Sequence, residues 1–216
     1  MGLKMSAFIR SGYLRQAVLA FTGMPLLFWA MGNLPARSFL KESISVIAII
    51  AFCQMIGQFF MARTNRYAKK DLKMSRLIQF HKILGYACVT VLLFHPFFLV
   101  LPKLFESGVG PVDAFIMIIT TLNRGVVLGI IAWCLVLVLG ITSLLRKKMP
   151  MKYTSWRFFH GILAMLFISI ATWHVTDLGR HSSLAMSAFI ILLATGGVLL
   201  LLKRYISEIF RKTKEV

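Results

Sequence analysis

Six stretches of this 216-residue chain are long and apolar enough to cross a bilayer, and that run of windows leaves little choice of fold. A helix needs roughly 20 mostly apolar residues to span the hydrocarbon core. The windows lie at about 13–32, 44–62, 79–101, 125–145, 155–176 and 183–203. They predict an all-α integral membrane protein: a bundle of six transmembrane helices forming a single domain over residues 1–216. An apolar stretch around Val112–Leu122 is broken from the fourth window by Asn123, Arg124 and Gly125. It reads as a short surface-lying helix or as an extension of that span. The first window lacks a small-residue cleavage site and reads as a retained span.

Charge sets the direction of the bundle. The chain carries 25 Lys and Arg against 7 Asp and Glu, a formal net charge of +18. On a soluble protein that excess would point to nucleic acid, but here the cations sit between apolar runs, as on the cytoplasmic side of a membrane protein. Arg63, Arg66, Lys69, Lys70, Lys73 and Arg76 face only Asp71 between the second and third windows, and Arg146, Lys147, Lys148 and Lys152 lie between the fourth and fifth. Lys4, Arg10 and Arg15 at the head, and Lys203, Arg204, Arg211, Lys212 and Lys214 in the tail, join them. Both termini are therefore expected inside, in a multi-pass protein of a bacterial-type inner (plasma) membrane with lipid, not nucleic acid, around it. The tail after Leu202 and the loops leave no room for a soluble flavin or nicotinamide domain. No GxGxxG or GxxxxGK[ST] cradles a phosphate. Cys53, Cys88 and Cys134 each fall inside an apolar run without CxxC spacing, so neither a disulfide framework nor an iron–sulfur site is expected.

The histidines carry the chemistry. Ionisable groups inside a span are costly and mark functional sites. His81 and His95 fall in the third window, His160 and His174 in the fifth, and each pair is fourteen residues apart. At about 100° per residue, fourteen steps return to within roughly 40° of the start, so each pair shares a helix face, about 21 Å apart along the axis. Both windows begin at loops assigned inside. His81 and His160 therefore share an inner depth, His95 and His174 an outer one. Two facing imidazoles at one depth suit a planar metal macrocycle held edge-on between helices, its iron ligated through both axial positions. A lone metal ion would take three or four ligands at one depth, and no carboxylate or cysteine stands beside these histidines to supply them. The pattern predicts two b-type haems, the inner iron on His81 and His160 and the outer iron on His95 and His174.

Other residues have two readings each. Gly85 and Gly161 let a bulky ring approach the backbone, or simply let helices pack. Phe167, midway between the fifth-window histidines, shortens the gap between haems or fills the core. Arg76, Lys82, Trp156 and Arg157 bind haem propionates at the inner level or anchor the helices at the interface. Arg124 binds an outer propionate or snorkels. His181, beside Arg180, is an ordinary loop histidine or assists an electron acceptor, a quinone or a metal.

Phe80-His81-Lys82-Ile83-Leu84-Gly85 through Phe94-His95, and Arg157-Phe158-Phe159-His160-Gly161 through Trp173-His174, resemble the ferric reductase-like transmembrane domain. That family includes the membrane parts of NADPH oxidases and ferric-chelate reductases and the haem-binding subunit of periplasmic methionine sulfoxide reductase. The resemblance implies six helices with two stacked haems, and electron flow from a cytoplasmic reduced flavin to an external acceptor. Two departures bear on it. The flavin and nicotinamide domain of the oxidases is absent, so a separate cytoplasmic flavin reductase carrying FMN or FAD is the expected donor. The methionine sulfoxide reductase subunit, similar in size, has arginine where this chain has His81.

Three functions follow. The first is a transmembrane electron conduit delivering to ferric iron, oxygen or a periplasmic oxidoreductase. The second is a haem-bearing anchor subunit of a quinone-linked complex, or the haem subunit of a methionine sulfoxide reductase system. The third is a transporter with a histidine proton relay, against which stands the lack of acids between the paired histidines.

Overall fold

The computed structural model describes residues 12–32, 34–35, 37–61 and 74–213. The cationic segment from Arg63 to Lys73, together with Lys4, Arg10 and Lys214, lies outside the described residues. Among the described residues the chain is helical, without strands: α1 Gly12–Val18, a π-helical segment Leu19–Gly23, α2 Met24–Ala30, α3 Phe39–Met61, α4 Met74–Val100, α5 Pro111–Thr120, α6 Arg124–Leu144, α7 Tyr153–Leu178 and α8 Leu184–Thr213. Five of these, α3, α4, α6, α7 and α8, are long and apolar enough to cross a membrane.

The first expected span is instead divided. Pro25 has no N–H to give the carbonyl of Phe21, and the Met24 N–H reaches back to Leu19, which opens one wide turn. That turn drives Phe21 against α3, where a Cβ built on Gly57 would stand 3.1 Å from its ring. Gln54 donates to Thr22 at 2.7 Å across the same contact.

The stretch before α6 is a helix of its own. Pro111 starts α5, where a missing N–H costs nothing, and Asp113 complements the first turn. Leu122, at φ 47°, breaks the chain between α5 and α6, and Asn123 caps α6 by accepting from the Val126 N–H at 2.9 Å. Several helices outrun their apolar windows: α3 begins at Phe39, α4 begins at Met74 and takes in Ser75 and Arg76, and α8 continues to Thr213, with Glu208 pairing with Arg204 at 3.0 Å one turn back.

α3 is the buried centre. Ala51, Phe52, Cys53, Met55, Ile56 and Phe59 are all enclosed, packed against α4, α8 and the α1–α2 stretch. α6 and α7 form the most extensive pairing and run antiparallel: Arg124 meets Asp177 at one end, and the Trp156 indole approaches the Thr142 carbonyl at the other. α4 packs on α3 and α6. The two histidine-bearing helices, α4 and α7, do not pack closely on each other, and the space between them positions the site.

Candidate functional site

Towards the Leu178 end of α7, a cavity of about 580 Å³ opens between α3, α4, α6 and α7, and its wall contains both His95 of α4 and His174 of α7. Apolar groups line most of it, among them Phe52, Leu92, Ala132, Val136, Phe167 and Ala171. Phe167 is 3% exposed, belongs to the main core and forms part of this wall. Concave, mostly apolar cavities with a few convergent polar groups are the usual form of cofactor sites.

α6 builds the support for His174. A Cβ on Gly129 would stand 2.7 Å from His174 Cε1 and 2.8 Å from Nδ1, so the ring lies directly on the helix backbone. Nδ1 is 2.8 Å from the Gly125 carbonyl. A carbonyl only accepts, so Nδ1 carries a proton there, and Nε2 is the ring nitrogen left for another partner. Metal-ligating histidines are oriented through their far ring nitrogen in the same way, so His174 could hold a metal through Nε2. His95 differs: its Nδ1 is buried without a hydrogen-bond partner among the described residues. Its turn is opened by Pro96, which withholds an N–H from the Leu92 carbonyl, while the Trp133 indole of α6 donates to the Leu93 carbonyl at 2.9 Å.

At the other level His81 and His160 stand within electrostatic reach of each other, as His95 and His174 do. The two pairs thus fall at two levels along α4 and α7, one imidazole from each helix. His160 is held between Ser143, whose Oγ lies 3.3 Å from Nδ1, and Trp156, whose ring stacks on it at 5.0 Å and 28°. Arg146 covers Trp156 in turn, 5.2 Å from its ring. Gly85 faces open space. Among the described residues no group of three or more His, Cys, Asp or Glu forms an ion site.

The remaining sequence candidates scatter. Arg157 turns to α8, pairing with Glu208 at 2.5 Å, and its carbonyl accepts from Tyr205. Gly161 serves that same contact: a Cβ there would collide with the Tyr205 hydroxyl, so its smallness is used by helix packing rather than by a ring between α4 and α7. Lys82 is exposed and Arg76 half-buried. Arg124 pairs with Asp177 at 2.5 Å and lies over Trp173, outside the cavity wall.

His181, by contrast, lines the cavity just past the end of α7, with Arg37, Ser45 and Arg180. Its side chain is 8% exposed, with Nε2 3.2 Å from Glu42. Arg37 bonds Glu42 at 2.9 Å and Ser45 at 3.0 Å, and Arg180 donates to the Pro35 carbonyl at 2.7 Å. Burial, with Arg37 and Arg180 adding to it, holds His181 below the usual imidazole range despite the opposing pull of Glu42. Sequence reasoning missed Gly125, Gly129, Ser143, Arg37 and Ser45. For two of them a signal existed: Gly129 and Ser143 repeat the fourteen-residue spacing of the histidine pairs.

Comparison with known proteins gives a coherent picture. The family model described as ferric reductase like transmembrane component matches residues 47–171, which include His81, His95 and His160 and stop three residues short of His174. A protein of Archaeoglobus fulgidus described as uncharacterized is 43% identical over 168 residues, covering 78% of this chain and 92% of its own. No solved structure matches.

Proposed function

The chain belongs to the ferric reductase-like transmembrane component family, and from that membership we propose that it carries electrons across a membrane through two b-type haems. His81 and His160 hold the inner iron, His95 and His174 the outer. The observation that carries this reading is the outer site: a cavity of about 580 Å³ between two helices that keep apart, with His95 and His174 in its wall. The protein's residues fit such a group. His174 is oriented by Gly125 so that Nε2 is the free nitrogen. The apolar wall suits a porphyrin face, and Arg37 and Arg180 put cations at one end, where a porphyrin has carboxylates. Bound iron porphyrin supplies a one-electron couple. The protein's work is to hold the ligands, exclude water and keep the setting apolar; no general base is required.

In this reading the stretch Gly12–Ala30 completes a sixth span, and the cationic ends and loops lie inside. The inner level then meets a cytoplasmic flavoprotein donor carrying FMN or FAD, and the outer level meets an acceptor such as ferric iron, oxygen or a periplasmic oxidoreductase. The test is an oxidised-minus-reduced optical spectrum of the detergent-purified protein with a haem-to-protein ratio. About two b-type haems per chain are expected, falling to about one in His174→Ala or His160→Ala. Protein that remains without haem after haem-supplemented expression would overturn the reading.

A further inference from the structure

Ser143, near the inner end of α6, has two neighbours for one hydroxyl. Its Oγ lies 2.7 Å from the Leu139 carbonyl and 3.3 Å from His160 Nδ1. The carbonyl only accepts, so the single hydroxyl hydrogen goes to Leu139 and the oxygen's lone pairs are left facing His160. His160 Nδ1 is then the donor and Nε2 the free nitrogen. Stacking by Trp156 at 5.0 Å limits rotation out of that pose.

The same helix does this work at both depths. Gly125 and Gly129 hold His174, and Ser143 stands fourteen residues beyond Gly129, in register with His160. The two acceptors differ in strength: a carbonyl at 2.8 Å on the outer histidine, a hydroxyl at 3.3 Å on the inner one. An acceptor on the far ring nitrogen raises the basicity of a ligating imidazole. A more basic ligand favours ferric over ferrous iron.

We propose that Ser143 is a positioning residue for the inner metal ligand, fixing His160 as the Nδ1–H tautomer and setting its basicity apart from that of His174. The proposal rests on the two-haem reading given above. Its test is a potentiometric titration of the purified holoprotein, with low-spin ferric electron paramagnetic resonance on the same samples. The inner couple is identified as the wave that His160→Ala removes. Ser143→Ala and Ser143→Val should shift that wave to higher potential, by about tenfold in ferric preference or about 59 mV for a one-electron couple, and should change its resonance anisotropy. The outer wave should stay in place. Ser143→Thr, which keeps the hydroxyl, should return the wild-type potential. Ser143→Ala removes a single atom, so it guards against a folding failure in the bulkier variants. If wild-type protein holds two haems but neither hydroxyl-free variant moves the inner wave, or Ser143→Thr moves it as far as Ser143→Ala, the proposal fails while the two-haem reading stands. Wild-type protein without haem defeats both.

Discussion

A single methyl group placed on Gly129 tests the His95–His174 site at its support. The Cβ of Gly129→Ala would stand 2.7 Å from His174 Cε1 and 2.8 Å from Nδ1. Favourable carbon contacts begin near 3.5 Å, so the imidazole must retreat by about 0.8 Å. Metal–ligand distances tolerate roughly 0.2 Å. The same retreat breaks the 2.8 Å bond to the Gly125 carbonyl that orients the ring. Overpacking of this size costs about 1–3 kcal/mol, and loss of an orienting partner weakens metal binding by about 10–100-fold. The assay is the haem-to-protein ratio with a redox titration: the ratio should fall from about two towards one, and the surviving wave should be the one that His160→Ala removes. Gly196→Ala is the control, because its Cβ would meet only the Phe60 ring edge at 3.7 Å, an ordinary contact. If Gly129→Ala keeps both haems at unchanged potentials, the placement of His174 on this backbone as an iron ligand is wrong.

Three further outcomes follow from the geometry. Gly161→Ala should destabilise the protein by about 1–3 kcal/mol through the Tyr205 clash, and Tyr205→Phe, which removes the colliding oxygen, should restore part of the loss in the double variant, as read by thermal unfolding in detergent. Arg124→Gln should leave haem content unchanged, because Arg124 is tied to Asp177 and Trp173 outside the cavity wall; loss of a haem would return it to the site. His181 is held below the imidazole range, so the unfolded chain binds its proton first: stability from this group is complete above the unfolded value of about 6.5 and declines as pH falls below it. The drop in Tm between pH 7.5 and 5.5 should therefore be smaller in His181→Gln than in wild type, and an equal drop would show that His181 contributes nothing to it.

What could be read in advance depended on period and length. The long apolar windows of α3, α4, α6, α7 and α8 announced themselves because lipid demands continuous hydrophobicity, and one repeated spacing made His81 with His160 and His95 with His174 the candidate pairs. Helix ends were less legible. α8 outruns its window because Arg204, Arg157 and Glu208 sustain it by ion pairing, which hydropathy does not register. The opened turn at Leu19–Gly23 depended on noticing that Pro25 starves Phe21 of a donor. Residue types misled where one type serves several ends. Gly161, next to His160, fits Tyr205, whereas Gly129, far away in the chain, carries the ring of His174. His181 looked like a loop histidine because its partner Glu42 lies on the opposite end of the sequence.

Vectorial electron transfer in reconstituted vesicles tests the central claim most directly. With ferricyanide trapped inside and dithionite added outside, the two-haem account predicts bleaching of the trapped ferricyanide at a rate proportional to protein, lost in His95→Ala and in His160→Ala vesicles of equal protein content. Haem that dithionite reduces in wild-type vesicles while the trapped ferricyanide keeps its colour would contradict it.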